Sequence, residues 1–459
     1  MALQSAKMFK RIIYGITVAC ICAAAVFTPS KTVRHEFPVF RVMLDPGHGG
    51  VALPDRCRNG DRYCAVTRTY LQDFREGASF RGIEEHALVY EIASKAYDIL
   101  LDCGENGDFS KFYPVLERFT DVSYDRVYIQ CHMSRSDSRH RNEIIRRKDP
   151  NDEFRIYDYP DDRGVMRPGR LSYINARRPQ IVVSLHAAGK GAAYFMGMNP
   201  VIVPPFDFLH SGLLDLQGEK QGRSYFFSSP YRDWFDESSR RTGYQWFLND
   251  VMLYFTGYPL KASGDADLDN FRGYRYNMVT WPYRDHIGWE RWARTHPDNS
   301  PYAASAKKFV LAGKYWVREK SVYEKYKRDG GLEGFGGDNY YASAEIIRYI
   351  LYSLGINNLY HADQRLGKPY ISVWTMPLFV NAINAFIELG YLARPRFRYL
   401  LTSRQDEIAQ GVAVGVYSLC AGIVPKQAPI RDRPKGKKID LIKYSMPNKG
   451  SYFDLAPIP

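Results

Sequence analysis

The chain has 459 residues, enough for one large domain with insertions or for two to three ordinary ones. Its hydrophobic fraction of 45% and charged fraction of 25% exclude a disordered or collagen-like polymer and imply a packed core. A net charge of +13 favours an anionic partner, and the placement of that charge along the chain decides which kind.

Lys7, Lys10 and Arg11 precede an apolar run from Ile12 to Phe27 that contains the small residues Ala23, Ala24 and Ala25. That is the layout of a signal peptide. The run is short of the roughly 20 apolar residues that span a bilayer. Residues 1–27 are therefore read as a signal peptide, with an uncleaved N-terminal anchor as the alternative. The remainder is expected to be exported to the periplasm or the extracellular cell wall, touching a membrane only if the N-terminal segment is kept.

The first structural element is the apolar run Phe40-Arg41-Val42-Met43-Leu44, which ends in Asp45-Pro46-Gly47-His48-Gly49-Gly50. A strand followed by a glycine-rich loop is the α/β pattern in which ligands gather at the carboxyl end of the strand. Cys57 and Cys64 flank a short polar loop, and in an oxidising compartment they are expected to form a disulfide. The chain has no CxxC and no finger-type Cys/His spacing, which argues against a structural zinc finger. From Glu84 to Leu101, Leu88, Ile92, Ala96 and Ile99 recur at helical spacing and predict a helix with a buried stripe. Between Ser136 and Arg170 the basic residues are matched by acidic ones, so this segment reads as a solvated loop and not a nucleic-acid stripe.

Ile181-Val182-Val183-Ser184-Leu185-His186 predicts a second buried strand, and Val380 to Leu389 a third. The interval between them is rich in Tyr, Trp and Gly, with a predicted amphipathic helix from Ala303 to Lys327 and another over Tyr341–Leu354. From Lys426 onward, eight Lys or Arg face Asp432, Asp440 and Asp454 among repeated prolines, which predicts a poorly folded basic tail. The expected organisation is a core in two parts, 38–187 and 340–424, an aromatic-rich insertion at 188–339, and a tail at 425–459. The fold class is α/β, with a mixed or mostly parallel central sheet, helices on both faces, and long insertions.

Three element ends each carry a metal-ligand type: His48, Glu84 or Glu85, and His186. Two imidazoles and one carboxylate suit Zn²⁺ and leave a fourth tetrahedral position for water, as catalytic sites do. Such a site lowers the pKa of its water to about 7 and needs a further carboxylate to take the proton. Glu388, ending an apolar strand, is the candidate, because a carboxylate there is costly unless paired or used. Each residue alone also has an ordinary reading, His as a hydrogen-bonded strand end and adjacent glutamates as partners of a helix dipole. Arg135 and Arg170 are either structural ion pairs or contacts to substrate carboxylates.

In its order and setting this set resembles the zinc-dependent N-acetylmuramoyl-L-alanine amidases, the AmiC-like amidase type 3 family. Arg41-Val-Met-Leu-Asp-Pro-Gly-His-Gly-Gly50 is similar to that family's opening strand and loop, which makes His48 the first zinc ligand. Ile92-Ala93, seven residues after Glu85, matches the family's spacing from its ligand Glu and places that ligand at Glu85, with Glu84 as the alternative. Ser134-Arg135, Arg170, Ile174-Asn175 and Ser184-Leu185-His186-Ala187 follow in the family's order, so His186 is the third ligand. Asn384-Ala-Phe-Ile-Glu-Leu-Gly-Tyr391 is similar to the closing strand, which makes Glu388 the catalytic carboxylate. Ala188 stands where the family has Asn, Ser134 where it has Thr, and three segments are expanded.

The resemblance implies hydrolysis of the amide between N-acetylmuramic acid and L-alanine, with Zn²⁺ as cofactor and peptidoglycan as partner. A protein activator is a further partner that the family allows, and nucleic acid is not expected. The alternatives are a wall-binding protein without catalysis and a zinc hydrolase of another exported amide.

Overall fold

A computed structural model describes residues 36–49, 61–64, 69–72, 77–135, 155–161, 163–189, 197–202, 206–216, 218–228, 247–249, 251–252, 259–265, 267, 269–270, 335–371, 376–380, 382–427, 430–441, 445–446 and 450–451. From Val39 onward these belong to one unit. In chain order its main elements are strand β1 (Val39–Pro46), helix α1 (Glu85–Leu101), strand β2 (Tyr128–Met133), helix α2 (Arg170–Ala176) and strands β3 (Ile181–Ala188) and β4 (Asn199–Ile202). Helix α3 (Phe335–Ile356), strands β5 (Tyr370–Ile371) and β6 (Ile383–Tyr391), and helices α4 (Pro395–Ser403) and α5 (Gln405–Ala421) complete the series.

The six strands form one sheet in the order β5-β4-β6-β3-β1-β2. Strands β2, β1, β3 and β6 run parallel, whereas β4 pairs antiparallel to β6 and carries β5 parallel to itself. The fold is therefore α/β with a mixed, mostly parallel sheet. Its inner strands are apolar runs because parallel strands are covered on both sides. The strand at 380–389 begins at Ile383, because Met376–Phe379 forms a helical turn and the N–H of Val380 bonds to the carbonyl of Met376. Pro377 lies in the first turn of that helix, where its fixed φ is already helical.

Side chains alternate across the sheet. On one side Val42, Leu44, Ile181, Val183, Leu185, Ile383, Ala385 and Ile387 share a single core with Leu88, Ile92 and Ala96 of α1, Ile346 and Ile350 of α3, and Val412 and Val416 of α5. Burying each Val, Leu or Ile side chain contributes about 1.5–3 kcal/mol, so this face holds the sheet and helices together. The alternate positions of β1, β3 and β6 carry Asp45, Ser184, His186, Asn384, Phe386 and Glu388. The register sets Asp45 beside Ser184, and Glu388 beside His186.

Two features differ from the sequence reading. Strand β4, from within 188–339, takes a place in the central sheet. Its four residues include Pro200, which has no N–H to donate, and β5 pairs only with Val201 and Ile202 beyond it. The tail after Lys426 is not poorly folded throughout. Ile430 and Ile439 are buried in the core, the N–H groups of Lys435 and Gly436 donate to the buried carboxylate of Glu345 at 2.6 and 2.7 Å, and Asp432 accepts from the N–H of Leu366. Charge and proline content do not register two isoleucines nine residues apart. The predicted helix at 303–327 and the Cys57 half of the predicted disulfide lie outside the described residues. No helix among the described residues is long and apolar enough to cross a membrane.

Candidate metal centre

Strand β1 delivers His48 two residues beyond its end. The loop stays against the sheet because the N–H of Gly47 donates to the carbonyl of Leu185 in β3 at 2.8 Å. Gly47 has to lack a side chain, since a Cβ there would lie 2.3 Å from Cε1 of His186. His48 adopts φ 58°, a left-handed conformation that a β-carbon normally disfavours. Gly77, at φ +100°, closes the other side: a Cβ would lie 3.0 Å from Cγ of His48 and 3.1 Å from Oε2 of Glu85. Both imidazoles and the carboxylate are thus packed against bare backbone.

The two candidate glutamates at the start of α1 are separated by the fold. The side chain of Glu84 is 57% exposed and reaches His86 at 3.3 Å, whereas that of Glu85 is 4% exposed and turns inward. Oε1 of Glu85 lies 3.1 Å from Nδ1 of His186 and accepts the N–H of Ala187 at 2.9 Å. Oε2 accepts the N–H of Ala78 at 2.7 Å and lies 3.5 Å from Nε2 of His48. The ring centroids of His48 and His186 are 4.9 Å apart, edge to face, and Phe386 stacks on His186 at 4.3 Å. One ligand atom from each of His48, Glu85 and His186 falls within 4.8 Å of the others.

These residues fit a metal ion. Two ligand atoms about 2.0–2.1 Å from a tetrahedral centre are separated by about 3.3 Å. Glu85 approaches His186 at 3.1 Å through Oε1 and His48 at 3.5 Å through Oε2, each close to that value. The donor set, two nitrogens and one carboxylate oxygen, is that of an open catalytic site and not of a closed structural one.

The electrostatics follow from burial. Burial opposes the charged form of Glu85, but the hydrogen bond to His186, the charges of both histidines and the Ala78 N–H prevail and hold its carboxyl well below the usual range. Burial likewise opposes charge on His186, yet Glu85, Glu388 and Asp45 raise its pKa. Glu388 is different. Burial pushes its carboxyl up to about 7, against the pull of His186 and with a further push from Glu85. Its Oε2 is buried with no hydrogen-bond partner among the described residues, next to His186 in the strand register.

Arg135 and Arg170 lie beneath this group with their guanidinium groups turned inward, at 0% and 1% exposure. Arg135 donates from Nε to the carbonyl of Pro46 at 3.1 Å and from Nη2 to that of His86 at 2.5 Å. Arg170 donates to the carbonyls of Pro46 and His48 at 3.2 and 2.6 Å and pairs with Asp45 at 3.5 Å. Of the two sequence readings, burial favours the structural one.

Several residues of the site went unread in the sequence. Asp45 accepts hydrogen bonds from Ser134 and Ser184 at 2.6 and 2.9 Å, and Asn384 donates to Ser184 at 3.1 Å. A signal was present: Ser184 with His186, and Asn384 with Glu388, are polar residues at period two or four in otherwise apolar strands. Gly77 and Ala78 carried no such signal.

No family model and no curated protein matches the chain. Among solved structures it is similar to the apo form of the N-acetylmuramyl-L-alanine amidase Ami1 from Mycobacterium abscessus, at 14% identity and a TM-score of 0.32, over 83% of this chain and 97% of that one. It is also similar to the N-acetylmuramoyl-L-alanine amidase from Clostridium difficile 630, at 12% identity and a TM-score of 0.30, over 83% and 96%. A third likeness is to the CwlD amidase from Clostridioides difficile in complex with the GerS lipoprotein, at 13% identity and a TM-score of 0.18, over 42% and 69%. At these identities and scores the likenesses carry no argument about activity, which rests on the site and the sequence.

Proposed function

We propose that the chain is an exported zinc-dependent hydrolase of the amide between N-acetylmuramic acid and L-alanine in peptidoglycan. The observation that carries the hydrolytic reading is Glu388, whose buried carboxylate oxygen lacks a hydrogen-bond partner among the described residues beside a compact two-His, one-Glu group. Leaving such an oxygen unpaired costs about 1–3 kcal/mol or more, which a purely structural residue would not sustain. The choice of amide follows the ordered resemblance of the His48, Glu85, His186 and Glu388 segments to type 3 amidases.

In this reading His48, Glu85 and His186 hold the zinc ion. Zinc held there would polarise an amide carbonyl and would acidify water enough for it to ionise near neutral pH. Glu388 accepts the proton of the attacking water and returns it to the leaving amine of L-alanine. Glu85 keeps its negative charge through the cycle because both histidines and two backbone N–H groups face it. Phe386 fixes the plane of His186 and keeps water from that side of the ring. Peptidoglycan is the partner, and the N-terminal segment directs export to it.

The test is digestion of purified sacculi by the zinc-loaded mature protein, with mass analysis of the products. Intact stem peptides released with a free L-alanine amine are the expected result. Muropeptides cut elsewhere, or no release at all, would reject the amide assignment.

A further inference from the structure

We infer that Arg135 and Arg170 are positioning residues that clamp the His48 loop to the start of helix α1 and so preset the spacing of the metal ligands. The inference rests on the metal-centre reading above. Both guanidinium groups converge on one carbonyl, that of Pro46, two residues before His48. From there Arg135 reaches across to the carbonyl of His86, the residue after Glu85, and Arg170 reaches forward to the carbonyl of His48 itself. One side chain ties the two ligand-bearing segments together, and the other holds the ligand residue by its own backbone.

The loop needs such a hold. A left-handed non-glycine residue costs about 1–2 kcal/mol, and His48 sits at φ 58°. Each charge-assisted bond from a guanidinium to a carbonyl is of comparable worth, about 1.5–3 kcal/mol. The clamp is itself braced. Asp45 lies 3.5 Å from Arg170 and is fixed by Ser134 and Ser184, while Arg135 lies with Cζ 5.1 Å from the ring centroid of Tyr90, one turn along α1 from His86. Both side chains are fully buried, which keeps them from meeting a substrate carboxylate. Lysine cannot substitute here, because an ammonium is a point donor without the planar fork that spans two carbonyls.

The experiment measures zinc affinity of the full mature protein by competition with a chromophoric chelator, for wild type, Arg135→Lys and Arg170→Lys. A control variant, Val412→Ala in α5, lowers the thermal midpoint through the core alone. The clamp predicts that each lysine variant binds zinc about 10–100-fold more weakly, the range for groups that orient metal ligands, while the control keeps wild-type affinity. Wild-type affinity in both lysine variants, or an equal loss in the control, overturns the clamp. Should the lysine variants not fold, hydrogen exchange on wild type decides. The amides of His48 and Gly49 should be protected to the same degree without zinc as with it, and protection that appears only with zinc overturns the clamp. Failure of wild type itself to bind zinc would reject the metal centre instead, so the two failures are distinct.

Discussion

The two faces of the central sheet are built by the same strands and do opposite things. On the helix-covered face, β1, β3 and β6 present Val42, Leu44, Val183, Leu185, Ala385 and Ile387, and these side chains pack in the hydrophobic core. On the other face the same strands present Asp45, Ser184, His186, Asn384 and Glu388, buried polar groups that depend on specific partners. The first face tolerates loss of one contact at the cost of stability. The second is expected to lose function when one group changes, and one of its members, Glu388, has an oxygen without a hydrogen-bond partner among the described residues. In the proposed reading a reactive carboxylate is sustained there because the opposite face supplies the stability.

The sharpest way to break this division is His186→Ala. It removes one of three ligand-bearing side chains, and two donors do not compete with water for zinc. Loss of bound zinc and of all amide release is expected, with the fold intact by circular dichroism. Retention of about one zinc per chain would show that the ligands lie elsewhere. Glu388→Gln is expected to separate binding from chemistry, since the amide side chain is nearly isosteric but accepts no proton. Zinc content should be unchanged, and the rate on sacculi should fall by about two decades or more, the scale of a general base. A near-normal rate would assign the base to another group.

The apolar face answers differently. Ile350→Ala, in α3 with the side chain fully buried, is expected to cost about 2–5 kcal/mol in urea unfolding while leaving zinc affinity as in wild type. A variant that loses zinc affinity in proportion to stability would show that the faces are coupled and that the division is false.

How legible all this is in the sequence depends on range. His48, His186 and Glu388 are visible because each is a polar residue at the end of an apolar run, a local signal. Glu85 against Glu84 is not decided locally, as both open the same helix. The choice is made by the N–H of Ala187, 102 residues away, and by that of Ala78, which folds back onto the start of the helix. The burial of Arg135 and Arg170 depends on carbonyls 89 and 124 residues distant, which no composition or period reveals. Strand β4 is hidden for the same reason: four residues, one a proline, pair with Phe386–Glu388 far along the chain. Helix α1, by contrast, is read correctly because its stripe of Leu88, Ile92 and Ala96 is periodic within itself.

The smallest expected effect lies on the polar side of the sheet but away from the candidate metal ligands. His132, in the edge strand β2, stands beside Met43 in the register and is half-buried. Burial lowers its pKa, and the charges of Arg177 and Arg41 lower it further. A histidine whose folded pKa is depressed binds its proton more readily in the unfolded chain. Its neutral form therefore favours the fold at high pH, and stability is lost as the pH falls through the unfolded value of about 6.5. His132→Gln removes that proton uptake. With zinc chelated from both proteins, urea midpoints at pH 7.5 and pH 5.5 should show a smaller drop for the variant than for wild type. Equal drops would mean that the edge strand opens enough to hydrate His132, and that the polar face is tightly closed only around the candidate metal ligands.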